Sequence, residues 1–202
     1  MSLREQKKQL SRNSILKAAE KLINRLGYEN AKMRDIAKSA NVSYQTLYNY
    51  FPTKALIVQS LLMQEMSHLD MRIADLIERY GGKPLTLLNN MVKAQIDAIS
   101  HRNRDLWREV TIEILSNSSS AQDLYTAIDK TAHQQILQTL ALFQQRKELD
   151  PYVDIEVLAH TLYVVIDYAI LQYLIQPTLS KVALLKELRK QIEVILTPYL
   201  RT

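Results

Sequence analysis

The chain of 202 residues contains no cysteine. That excludes a disulfide framework and any thiolate zinc site, and it fits a reducing compartment. Glycine occurs three times and proline five times, each where a helical pattern stops. With so few backbone breakers, with Leu, Ala, Gln, Lys and Glu dominant, and with no alternating apolar pattern bounded by turns, a sheet is not expected. The first ten residues are polar and basic and lack the apolar core of a secretory signal. The most apolar stretch, Leu162 to Ile175, is interrupted by Asp167 and Gln172. It reads as too short and too polar for a membrane span. The expectation is a soluble, cytoplasmic, all-α protein with enough chain to bury a core.

Charge is present but uneven. The formal net charge is +5. Residues 1–60 hold eleven Lys and Arg against four Asp and Glu, or +7, and the remainder holds fifteen against seventeen, or −2. A basic end on a nearly neutral body points to a polyanion that touches one end only.

Hydrophobic periodicity and breakers predict nine helices, over about 10–26, 33–40, 44–50, 54–80, 84–100, 103–117, 121–147, 152–176 and 179–199. Gly27 is placed to end the first in a left-handed conformation, and Thr53 to cap the fourth. Gly81-Gly82-Lys83-Pro84, Asp150-Pro151 and Gln176-Pro177 mark further breaks, because residues before proline avoid helical dihedrals. The plan has two domains: residues 1–53, a three-helix module, and residues 54–202, a larger helical body with helix 54–80 as connector.

The segment Met33 to Phe51 reads MRDIAKSANVSYQTLYNYF. A short helix with Ile36 and Ala37 inward is followed by Asn41, a residue that tolerates positive φ. Ser43 is placed to cap the next short helix. Two such helices joined by such a turn form a helix-turn-helix, covered by Ile15, Leu16, Ala19, Leu22, Ile23 and Leu26 of the first helix. At 100° per residue Leu47 and Phe51 share the inward face. Gln45 and Asn49 then lie opposite, flanked by Tyr44 and Tyr48. Gln and Asn pair with both edge atoms of adenine in a major groove, and tyrosine hydroxyls and lysine ammonium groups suit phosphates. Lys54 begins a helix whose N–H groups also favour a phosphate. Ordinary surface or core roles for these tyrosines are the plainer alternative. Arg4, Lys7 and Lys8 are read either as an arm for a minor groove or as a solvated end.

On Arg12, Ile15-Leu16, Ala18-Ala19, Gly27-Tyr28, Ile36-Ala37, Val42-Ser43, Thr46-Leu47-Tyr48, Tyr50-Phe51 and Lys54, the segment Ser11 to Leu56 resembles the N-terminal domain of the tetracycline-repressor (TetR) family. The resemblance implies a homodimeric transcriptional regulator, usually a repressor, released from double-stranded DNA by a small-molecule inducer held in the C-terminal domain. The candidate DNA contacts are Tyr44, Gln45, Thr46, Tyr48, Asn49, Tyr50 and Lys54. The chain departs from the pattern at three places: Gln45 stands where a small residue is frequent, Asn41 where glycine is common, and Lys32 where a hydroxyl often caps the second helix. Lys32 is a candidate phosphate contact, and Asn30 a substitute cap.

In the last helix Leu185, Leu188, Ile192 and Ile195 recur at spacings of three and four, which suits either a self-complementary dimer patch or the protomer's own core. For a ligand pocket the candidates are Trp107, Tyr125, His133, Tyr163, Asp167 and Tyr168, each also explicable as core packing. Asp167, an acid among Val164, Val165, Ile166, Ala169 and Ile170, calls for a cationic ligand, an arginine across a dimer or solvent. No cofactor or metal site is expected. Glu109 with Glu113, Asp129 with His133 and Glu156 with His160 are one-turn pairs of a kind usual on helix surfaces. No catalytic motif accompanies them, so the reading is not an enzyme. The rival to an inducer-controlled regulator is a DNA-binding protein of the same fold that answers to a protein partner or acts architecturally.

Overall fold

The computed structural model describes residues 2–100, 104–115 and 119–201, with only some of the side chains between 109 and 128. The described residues form nine α-helices: α1 (Leu3–Leu26), α2 (Met33–Ser39), α3 (Tyr44–Tyr50), α4 (Lys54–Glu78), α5 (Pro84–Ser100), α6 (Arg104–Leu115), α7 (Ser119–Gln145), α8 (Ile155–Ile175) and α9 (Lys181–Leu196). A 3-10 turn, Thr197–Tyr199, ends the chain's last helix. Strands are absent among the described residues, where one isolated bridge pairs Leu149 with Leu200.

Caps explain most ends. The hydroxyls of Ser43, Thr53 and Ser180 accept from Thr46, Leu56 and Ala183 N–H at 3.0, 3.2 and 3.2 Å, each satisfying a donor left over by the helix start. α8 begins later than the sequence suggests. Asp150 takes the Tyr152 N–H at 3.0 Å to form a turn, and Asp154 then caps the helix through Glu156 and Val157.

α1 begins earlier than expected. Ser2 and Glu5 form a reciprocal capping box, so Arg4, Lys7 and Lys8 lie on helical turns and not on an extended arm. Gly27 has φ 80 and ψ 162, a positive-φ conformation outside the left-handed helical region and open in practice only to glycine. Asn30 does not cap α2; its side-chain amide donates to the Leu26 carbonyl at 3.0 Å. Leu26, expected inward, is 39% exposed at the last position of α1.

The body is a stack of helices around one core. α4 packs on α5 and α7, α8 on α6, α7 and α9, and α9 on α5. Leu62, Ile73, Leu88, Ile96, Leu140, Phe143, Leu188 and Ile192 are fully enclosed. The far end of α4 is tied down where the Tyr80 hydroxyl donates to Glu148 at 2.5 Å and the Arg146 guanidinium lies over its ring. Burial and that bond push the phenol well above its ordinary range, so it remains a donor.

Asp97 on α5 gathers Lys93 at 2.7 Å, Lys181 of α9, and Arg72 of α4 at 3.9 Å. Burial alone raises its carboxyl; the bonds and charge of Lys181 and Lys93 outweigh burial and hold it below the ordinary value. A depressed carboxyl stabilises the fold above its unfolded pKa, about 4, and that contribution is lost as pH falls through the folded value. Asp97→Asn is therefore expected to lower the urea midpoint at pH 7 and to reduce its acid dependence below about pH 4. An unchanged dependence there would show that the cluster contributes nothing to acid stability.

Candidate nucleic-acid interface and adjoining cavity

The first three helices carry the sequence motif as drawn. Asn41 has φ 56, which turns the chain sharply between α2 and α3. Ser14 of α1 secures that turn, its hydroxyl donating to the Ala40 carbonyl at 3.0 Å. Leu47 and Phe51 are buried, so the opposite side of α3 is presented outward.

On that side Tyr44 and Tyr48 are each 48% exposed. The Gln45 amide donates to Asn49 Oδ1 at 3.0 Å across one turn, holding the two amides as a preformed exposed pair. Thr46 and Tyr50 are half-buried: Thr46 is engaged with the Ser43 hydroxyl at 2.8 Å, and Tyr50 packs against the core. The outward surface of α3 is therefore Tyr44, Gln45, Tyr48 and Asn49. Lys32 is exposed at the start of α2 and makes no cap there.

Lys54 serves a role the sequence did not suggest. It is half-buried, its ammonium donates to the Tyr28 carbonyl and, at 3.4 Å, to that of Glu29, and it sits 4.0 Å from the centre of the Tyr28 ring. Arg12 reinforces the same junction, donating to the Ser60 hydroxyl at 3.0 Å and covering the Phe51 ring. These two cations lock the first turns of α4 to the three-helix module.

Further along, α4 lines a cavity of about 230 Å3 together with α5, α6, α7 and α8. Of the candidates read from sequence, Trp107, Tyr163 and Asp167 line it. The side chain of Tyr125 lies outside the described residues. His133 is directed elsewhere, edge-on to His160 and Tyr163. Tyr168 is 61% exposed and lines a shallow groove against α9. Sequence reading missed the contributions of α4 and α5, among them Met66, Asp70, Gln95 and Ile99. Gln95, the polar residue at helical spacing with Val92, Ile96 and Ile99, is the signal that was available.

The apolar stripe of α9 also needs correction. Leu188 and Ile192, placed from sequence on a dimer patch, are 1% and 0% exposed and belong to the protomer's core; Leu185 and Ile195 are half-buried. The outward apolar residues are Val182 and Val194 of α9, at 77% and 74%, with Val164 and Tyr168 of α8. By length and composition α8 is apolar enough to cross a membrane, yet only 33% of its most apolar window is buried in the protomer. It packs on three other helices, and its apolar excess faces outward beside α9.

Fold and site together define a helix-turn-helix protein with a helical C-terminal body that contains a cavity. Residues 15–61 match the family of bacterial regulatory proteins described as the tetR family. The chain is 34% identical over 110 residues to the transcriptional repressor KstR of Mycolicibacterium smegmatis, covering 54% of this chain and 53% of that one. It is 28% identical over 153 residues to the transcriptional regulator UidR of Escherichia coli, covering 72% of each. The match thus spans about half the length of the KstR relative. The fold is shared with the TetR-family repressor FadR of Thermus thermophilus, solved with lauroyl-CoA: TM-score 0.70 at 22% identity, covering 91% of this chain and 92% of that one. The N-terminal module is thus similar to that of tetR-family regulators, and the helical plan of the whole chain is shared with them.

Proposed function

We propose that the chain is a homodimeric, DNA-binding transcriptional repressor of a roughly palindromic operator, released by a small organic molecule. Residues 1–53 are the DNA module and residues 54–202 the ligand and dimerisation body, with α4 as connector. The protein works where the DNA is, in the bacterial cytoplasm. Tyr44, Gln45, Tyr48 and Asn49 read or contact the groove, and Lys32 a phosphate.

The observation that carries this reading is the span of α4. Its first turns hold the DNA module through Lys54 and Ser60, and its Met63, Met66 and Asp70 line the cavity. A molecule that prefers the cavity with α4 displaced shifts the spacing of the two DNA modules. The coupling required is modest, about 1–3 kcal/mol. A concave, mostly apolar cavity with a few polar groups favours a small molecule over a protein partner as the signal.

Selection from random duplexes, followed by footprinting, is the test. The expected product is a symmetric site whose half-sites lie about 34–36 Å apart or a small multiple of that, bound with steep salt dependence. Recovery of no preferred sequence would overturn the repressor reading and promote an architectural one.

A further inference from the structure

The cavity carries chemical information about its occupant. Three carboxylates, Asp70, Asp129 and Asp167, line it, and among the described lining residues there is no Lys, Arg or His. Asp70 and Asp129 accept hydrogen bonds from neutral groups, the Gln135 amide at 2.9 Å and the Tyr163 hydroxyl. Neither takes part in an ion pair among the described residues. Among the described residues, Asp70 and Asp129 therefore meet neutral donors and no cation. Asp70 is exposed and stands at the mouth, while Ile99, Ile136 and Ile166 form the apolar depth.

A second observation comes from that depth. Gln95 and Trp107 are only 9% and 8% exposed, and both line the cavity. Gln95 Oε1 and Trp107 Nε1 are buried without a hydrogen-bond partner. A buried polar atom left unpaired is costly; Gln95 contributes one such acceptor and Trp107 one such donor within residues of the cavity wall. A hydroxyl, which both donates and accepts, answers both. The volume corresponds to about eight water molecules, which suits a compact molecule.

We infer that the cavity takes a small organic cation: an ammonium group at the carboxylate-lined mouth, an apolar body, and a hydroxyl-like group at the Gln95 and Trp107 end. This rests on the small-molecule reading above but concerns the ligand's class. Carboxylates and other anions are the molecules this wall repels, since a like charge brought beside these carboxylates gains nothing to offset its own desolvation.

The test uses the full chain without DNA and three probes of one length: octylamine as its ammonium ion, 8-amino-1-octanol likewise, and octanoate. Binding is read by Trp107 emission, from the only tryptophan, and by calorimetry. Octylammonium is expected to bind at least tenfold tighter than octanoate, and the added hydroxyl to be tolerated without loss. Asp70→Asn with Asp129→Asn should cut the cation's affinity about tenfold and leave octanoate no weaker. Gln95→Leu, which keeps the bulk, should turn preference from the amino alcohol to octylammonium. Unchanged melting temperatures without probe establish that the variants are folded; should the aspartate pair fail to fold, Asp129→Asn alone is read the same way. Octanoate binding as tightly as the cation, or none of the probes binding, overturns the inference. Binding is measured without operator, so a cation that binds but never releases DNA leaves this inference standing and removes the regulatory one.

Discussion

Val194→Asp is expected to yield a folded monomer, whereas Ile192→Asp is expected to unfold the chain. The two residues lie two apart on α9, and 100° per residue puts them on opposite faces. Val194 is 74% exposed and Ile192 0%. In the proposed dimer, Val194 sits with Val164, Val165, Tyr168 and Ile195 around a groove between α8 and α9, a surface that a second copy would cover. Two-fold symmetry puts every substitution in such a patch twice, so one aspartate per chain places two charges in a dry contact. Light scattering should show half the mass with the thermal transition intact. DNA affinity should fall by about 10²–10⁴, because the second half-site is no longer held at high effective concentration. Inside the core an unpaired carboxylate costs more than about 4 kcal/mol, against a total stability of roughly 5–15 kcal/mol. A Val194→Asp protein that remains dimeric at micromolar concentration would remove this face as the interface. A well-folded Ile192→Asp protein would contradict the packing of α9 itself.

On DNA, Asn49→Ala and Lys54→Ala are expected to fail in different ways. Asn49 and Gln45 bond one another on an exposed face, and on a duplex they exchange that bond for base edges. Asn49→Ala should therefore lose about 1–3 kcal/mol of discrimination at one base position while leaving affinity for random sequence nearly unchanged. An ammonium has three donors, and Lys54 directs two towards the Tyr28 and Glu29 carbonyls. The third is available to a phosphate. Lys54→Ala should weaken all sequences alike and reduce the salt slope by about one, and it should also lower the melting temperature, because the junction of α4 with the DNA module loses a tether. Anisotropy titrations over a salt series, with melting curves, separate the two. A lower melting temperature with an unchanged salt slope would make Lys54 a structural clamp only.

The helix-turn-helix was legible because its determinants are local. Asn41, Ser43, Leu47 and Phe51 each act within about one turn of their own position, through φ, a capping hydroxyl or a helical period, and the structure follows them. The cavity was only half legible. Trp107, Tyr163 and Asp167 stood out as aromatic or charged residues in apolar helices, but the share of α4 depends on where that helix crosses α5 and α7. Nothing in its own sequence separates Met66 or Asp70 from the rest of an amphipathic surface.

The sequence by itself determined the helical class, the breaks between helices and the outward face of α3, since propensity, caps and period operate between near neighbours. It did not decide which apolar stripe of α9 turns inward. Leu185, Leu188, Ile192 and Ile195 obey one period whether they face α5 and α8 or another copy. Only the packing of α9 against those helices buries Leu188 and Ile192 and leaves Val182 and Val194 outside. The same holds for Lys54, whose charge suits phosphate in any isolated helix. The approach of the α1–α2 turn gives its ammonium two backbone carbonyls first, because a half-buried cation must satisfy its donors where it stands.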